Sequence, residues 1–284
     1  MKTILVPYDF SQEAINAFEL AKELATKANC KLKLLHIVEL PTTQSFNTMG
    51  EVNMGDNELN NVFMIELVEK RKKQIAEIEA LHKNSPFEFS TRLMFGNPYA
   101  GISNEVTEVK ADLIIMGSKG SSGIEELLIG SNTEKVVRHS KCPVITVKNP
   151  VKAEEIKKIV FASDFNDEED SDIITELKDL QTILGAEICM VKVNTPSLFE
   201  NSRDSKSRIK KFVEKLGISN VQVEIYNSSS EEEGIIEYAD DIDANMIAMA
   251  THGRTGFMHL ISGSIAEDVV NHARRPVWTM RKRK

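Results

Sequence analysis

Two kinds of segment in this chain could do chemistry on a ligand. Asp9 closes the stretch Lys2–Asp9, and Asp164 closes the similar stretch Lys157–Asp164. Further along, Gly117-x2-Gly120-x9-Gly130-Ser131 leads directly into a helical run. Glycines let backbone approach a ligand closely and take unusual torsions. A helix N-terminus supplies free N–H groups and the positive end of a dipole, and Ser131 adds a hydroxyl. Together these suit phosphate. An acid at the end of a first strand can bond a ribose hydroxyl or an exocyclic amine.

Each piece also has a plain structural explanation. Ser131-x-x-Glu134 and Ser264-x-x-Glu267 read as capping boxes, which need no ligand. A glycine after a strand is often only a turn, and Asp9 could simply favour a helix N-terminus. Their joint occurrence, twice in one chain, favours a site.

The duplication organises everything else. Residues 2–9 align with 157–164, and 111–120 with 244–253. Gly130-Ser131-x-x-Glu134 aligns with Gly263-Ser264-x-x-Glu267, Arg138-His139 with Asn271-His272, and Pro143-Val144 with Pro276-Val277. Extra residues in the first copy concentrate around 42–61, polar and rich in Asn and Gly, so a surface loop is expected there. The copies divide near Pro150, giving domains 1–149 and 150–284.

Within the first copy, Ile4–Val6 reads as a buried strand. Ser11 caps a helix whose apolar side is Ala14, Phe18, Ala21, Leu24 and Ala25. Strands are expected at Leu32–Val38, Phe87–Met94, Leu113–Met116 and Val144–Val147. Helices are expected through Val68, Ile75, Ile78 and Leu81, through Ile102, Val106 and Val109, and over Asn132–His139. Alternating strands and helices make an α/β fold with a doubly wound parallel sheet. Such sheets take ligands beyond the carboxyl ends of their strands, at the switch point.

Composition bounds the function. The 284 residues suit two domains, with 41% hydrophobic and 27% charged residues. A net charge of −8 argues against broad nucleic-acid binding. Cys30, Cys142 and Cys189 have spacing that suits neither a disulfide framework nor a zinc site, which implies a reducing compartment. The N-terminus runs straight into a strand, with no signal-peptide pattern. No apolar run approaches bilayer length. These features point to the cytoplasm and away from membranes.

The chain resembles a tandem member of the universal stress protein family. The resemblance rests on Ile4-Leu5-Val6-Pro7-Tyr8-Asp9, on the complete glycine signature from Gly117 to Ser131, and on His139-Ser140-Lys141-Cys142-Pro143-Val144. It implies two domains, each a five-stranded parallel sheet in the order 3-2-1-4-5, paired through their last strands as an internal pseudo-dimer. It leaves room for homodimerisation and for regulatory protein partners. Family members with the full signature typically bind ATP, and a divalent cation, Mg²⁺ or Mn²⁺, could accompany the triphosphate. Carried over, Pro7, Tyr8, Asp9 and Val38 would surround adenine and ribose, with Met116 and Gly117 lining the same pocket. Gly120, Gly130, Ser131 and Asn132 would hold the phosphates.

The second copy departs from the pattern. Its counterparts are Ala162, Ser163, Asp164, Ala250, Gly253, Gly263 and Ser264, with Ala250 in place of the first glycine. Asn194 replaces Val38, which would make the adenine pocket more polar. Glu231–Glu233 add acid near the rim, where they could oppose a triphosphate. The first copy is therefore the preferred site.

Lys119 and Arg254 could screen phosphate charge, or could be ordinary surface cations. His139 and His272 suit a helix C-terminus. Neither they nor His252 and His259 have partner ligands at metal-site spacing. Walker, dinucleotide-binding and nucleophile-elbow motifs are absent, and no base stands ready to activate water. This leads to an ATP-binding stress-response regulator or sensor. A ligand-independent interaction scaffold and a slow ATP hydrolase are the alternatives. A response-regulator receiver is a poor fit, because the third strand ends at Phe95-Gly96 without a phospho-acceptor Asp.

Overall fold

The computed structural model describes residues 1–39, 58–119, 129–165, 171–217, 221–251 and 265–281. The first copy runs β1 (Thr3–Pro7), α1 (Gln12–Ala28), β2 (Lys31–Val38), α2 (Glu58–Leu81), β3 (Phe89–Phe95), α3 (Pro98–Val109), β4 (Leu113–Gly117), α4 (Ser131–His139) and β5 (Val144–Val147). The second runs β6 (Lys158–Ala162), α5 (Ser171–Leu184), β7 (Glu187–Asn194), α6 (Ser202–Leu216), β8 (Val221–Asn227), α7 (Glu231–Asp241), β9 (Met246–Thr251), α8 (Ile265–His272) and β10 (Val277–Arg281).

The strands form one ten-stranded sheet in the order β3-β2-β1-β4-β5-β10-β9-β6-β7-β8. Each half has the expected 3-2-1-4-5 order, the second as the mirror of the first. Pairing is parallel within each half and antiparallel at the seam, where Thr146, Ile145 and Val144 face Val277, Trp278 and Thr279. The seam strands are buried along their length, with only Arg281 at the outer end of β10 reaching partial exposure.

Alternation along each strand sorts side chains into two layers. Ile4, Val6 and Tyr8 join Leu32, Leu34, Leu113 and Ile115 beneath α1 and α2. That layer continues without a break into the second copy through Ile145, Trp278, Met280 and Ala248. Leu5, Leu35, Ile114 and Met116 pack instead with α3 and α4. The second copy has its own opposite layer, and Ile129 packs against both.

Local signals explain most boundaries. Ser11 takes an extended N-cap conformation and its side chain accepts from the Ala14 amide at 3.2 Å. Asn29 ends α1 in the left-handed conformation. The expected apolar side of α1 is buried throughout. Val68 and Ile75 on α2 are buried too, but Leu81 is 81% exposed, because it is the terminal residue of the helix. The third strand begins at Phe89, two residues later than expected. The ladder between β2 and β3 starts where Leu32 pairs with Phe89, and Phe87 serves the core from the preceding bend.

All three cysteines are free and buried, and burial pushes the Cys142 thiol up to about 11. Among the described residues no helix is long and apolar enough to cross a membrane. The expected loop at 42–61 lies outside them as far as residue 57. Residues 58–61 open α2 instead.

Candidate functional site

At the carboxyl ends of β1 and β4 the first copy brings together the Pro7–Asp9 turn, Met116–Lys119 and the start of α4. The glycine segment returns to the sheet at one defined point, where the Gly130 amide donates to the Ser118 carbonyl at 2.9 Å. Thr133 Oγ1 donates to the Gly117 carbonyl at 3.0 Å and locks the first turn of α4 onto β4.

This arrangement corrects the capping-box expectation. Gly130 is the N-cap, so Ser131 is already the first helical residue, and no side chain caps the helix. The hydroxyl of a first helical residue is not placed to accept from the amides ahead of it. The second expected box, at Ser264, lies outside the described residues. The first-turn amides of 131–133 have no acceptor within the helix, so they remain available to an anion. Gly130 is different. Its own N–H is committed to the Ser118 carbonyl, which leaves the amides of Ser131 and Asn132 as the free donors among the expected residues.

The decisive side chain is one the sequence reading passed over. Ser118 is 1% exposed, and its Oγ has no hydrogen-bond partner. By strand alternation it lies on the same face as Met116, towards α4. A buried hydroxyl without a partner is costly, and a polar ligand at the uncapped helix start beside it would relieve that cost. Thr251, its counterpart at the end of β9, is likewise buried with an unpartnered hydroxyl.

Other expected residues take more structural roles. Gly117 is needed for packing: a Cβ there would meet the Glu13 main chain and Cβ at 2.9 Å. The Tyr8 ring turns into the α1 layer against Phe18 and Phe10. Its amide donates to the Leu35 carbonyl at 2.8 Å, and its carbonyl meets His36 Nδ1 at 2.6 Å. Asp9 lies two residues beyond β1, and its Oδ1 accepts from the Ser11 amide at 3.0 Å and hydroxyl at 2.6 Å. Between them Phe10 holds a left-handed φ of 67°, a strained conformation for an aromatic residue. Val38 is buried at the end of β2, and Pro7 ends β1 half-buried. Gly120 lies outside the described residues.

Burial lowers the His36 pKa, which favours the neutral ring. A carbonyl can only accept, so Nδ1 carries the proton towards Tyr8 and Nε2 is left as an unpartnered acceptor.

On the rim, burial brings the Lys148 pKa down to about 8, with Lys119 adding repulsion. A lysine so shifted binds fewer protons folded than unfolded. Its contribution is unfavourable below pH 8, and stability should rise from there toward 10.5. Urea midpoints measured at pH 7.5 and pH 10 should therefore climb more for the wild type than for Lys148→Met. Equal slopes would remove this assignment.

The second copy is organised differently at the same place. Asn194 does not present its amide to a pocket, as the sequence suggested. Its Nδ2 donates to the Glu200 carbonyl at 2.9 Å, and its Oδ1 lies 3.5 Å from Lys192 Nζ. Glu200 also takes Lys192 and both arms of Arg208, at 2.7 and 2.5 Å. Arg208 and then Lys192 hold its carboxyl down to about 2. Buried polar groups gather partners, and here they knit the end of β7 to α6. In the β6 turn Ser163 Oγ accepts from the Phe165 amide at 3.1 Å, and Phe165 has a φ of 56°. Ala162 is buried, and Asp164 lies in the turn beyond it. Ala250 is half-buried on β9. Gly253, Gly263 and Ser264 lie outside the described residues.

The family model described as "Universal stress protein family" matches this chain twice, over residues 1–148 and 155–281. The chain belongs to the universal stress protein family. The Staphylococcus saprophyticus protein SSP1056 is 32% identical over 165 residues, covering 58% of this chain and 93% of its own. Universal stress protein MJ0577 of Methanocaldococcus jannaschii is 30% identical over 153 residues, covering 52% and 94%. A universal stress protein from Archaeoglobus fulgidus shares the fold across 99% of this chain and 98% of its own, with a TM-score of 0.76 at 20% identity. Single-unit relatives thus match about half of this tandem universal stress protein, whereas the Archaeoglobus structure matches nearly all of it.

Among its described residues this universal stress protein has no group of three or more His, Cys, Asp or Glu side chains able to hold a metal ion. Ser118 was legible only as an unspecified position inside the glycine motif. Its signal is the period-two alternation from Ile114 through Met116, which places it on the α4 face.

Proposed function

We propose that the first copy binds an adenine nucleotide, ATP, and that the chain is a nucleotide-responsive stress regulator or sensor. The observation that carries this reading is the buried, unpartnered Ser118 hydroxyl beside the uncapped first turn of α4. A triphosphate would give those groups the acceptors they lack, with Lys119 and Lys148 adding positive charge. Ser131 and Asn132 would hold it through main-chain N–H groups. Met116 and Val38 would supply apolar surface to the base, and Asp9 a carboxylate to the ribose. A divalent cation, Mg²⁺ or Mn²⁺, would ride on the triphosphate. The second copy is the weaker candidate, because the end of β7 is tied up with Glu200.

Isothermal titration with ATP and Mg²⁺ tests the proposal. Saturable heat with one site per chain is expected, and its absence at millimolar ATP defeats the reading.

One observation favours the scaffold reading alongside it. Leu198 and Phe199 are 58% and 76% exposed on the connection pinned by Glu200, so apolar side chains are held outward in place. Protein purified with ATP already bound would weigh against a purely ligand-independent role.

A further inference from the structure

The glycine segment of the first copy does not end in its own domain. Ile129, the residue before the α4 N-cap, donates its amide to Asn271 Oδ1 at 2.6 Å, and Asn271 belongs to α8 of the second copy. The Ile129 side chain packs against the cores of both copies. Lys148, on the rim of the site, donates to the Asn271 carbonyl. Ile129, Gly130 and Ser131 are thus held in sequence by Asn271, by Ser118 and by the helix they start.

The wiring is not symmetric. Asn271 is the counterpart of Arg138, and Arg138 makes a different contact across the seam. It grips Glu267 with Nε and Nη2, both at 2.6 Å. The second copy therefore reaches the first copy's loop, whereas at the matched position the first copy reaches a buried carboxylate on α8.

We propose that Asn271 is a positioning residue for phosphate binding at the first copy, so that the second copy holds its neighbour's site in the competent form. The inference rests on the nucleotide reading above. An amide fixed from across the seam sets where α4 starts, and hence where the amides of Ser131 and Asn132 point. The turn at 129–131 is then already in place when phosphate arrives, which is how preorganisation raises affinity. The base and ribose end, built from β1, β2 and the end of β4, lies outside this control.

The test uses the full-length chain and compares ATP with adenosine by calorimetry. Asn271→Leu keeps the bulk but removes the acceptor, and should weaken ATP about 3- to 10-fold, the range of one neutral hydrogen bond. Adenosine affinity should stay unchanged. Asn271→Asp keeps an acceptor towards Ile129 but adds a charge that repels the triphosphate, so it is the control for the hydrogen bond and not for ATP affinity. Amide hydrogen exchange at Ile129 should quicken in the Leu variant and not in the Asp variant. Equal weakening of ATP and adenosine would show a general structural defect and overturn the proposal, as would unchanged ATP affinity in Asn271→Leu. Wild-type protein that binds no ATP removes the nucleotide reading and this inference together. Wild-type binding with an indifferent Leu variant removes this inference alone.

Discussion

Ser131→Asp should lower ATP affinity about a hundredfold while making the ligand-free protein slightly more stable. Ser131 is exposed and is the first residue of α4, whose start has no side-chain cap. A carboxylate there meets the positive end of the helix dipole, worth about 0.3–1 kcal/mol. The same charge would repel a triphosphate at the first-turn amides. At a separation of about 4 Å and an effective dielectric near 20, one pair of unit charges is worth about 4 kcal/mol. A hundredfold loss needs only about 2.7 kcal/mol. Opposite signs for binding and stability make the result diagnostic, because a variant that merely damages the fold lowers both. Ser131→Ala is the control and should cost less than tenfold. Calorimetry with ATP, set beside thermal melts without it, gives both readings. An Asp variant that binds within threefold of wild type would mean that phosphate lies elsewhere.

Trp278→Ala should cost about 4 kcal/mol of stability, within the usual range for removing a large buried aromatic. Trp278 is 1% exposed and faces Ile145 across the antiparallel seam, in the layer shared by both copies. The cavity would therefore open between domains as well as within one. Urea unfolding followed by circular dichroism should show a lower midpoint, with the single transition broadening towards two as the copies lose their common core. A loss below 1 kcal/mol would show that the seam closes over the gap and contributes little to cooperativity.

Several elements were readable because their causes are local. The strand Val144–Val147 lies where its apolar run predicts. The Ser11 cap and the buried side of α1 follow from spacing within a few turns. Alternating strands and helices fix only a parallel, doubly wound sheet with right-handed crossovers, and the 3-2-1-4-5 order is what the family resemblance implies. The capping box at Ser131 failed for an equally plain reason. Ser-x-x-Glu has the same spelling whether the helix begins after the serine or with it, and a long-range bond from Gly130 to Ser118 decides. Gly117 was read as space for a ligand, and it is also space for the first turn of α1.

From its sequence alone this protein is a duplication, an α/β fold with doubly wound halves, and a bearer of a glycine signature suited to phosphate. Those properties reside in periodicity and repeat, which hydrophobic burial enforces segment by segment. Tertiary structure alone decided that Ser118 is buried without a partner, that Glu200 ties up the end of β7, and that Asn271 holds Ile129 from the other copy. Each is a hydrogen-bonding relation among groups that only packing brings together or seals from water, and spacing along the chain carries no trace of it.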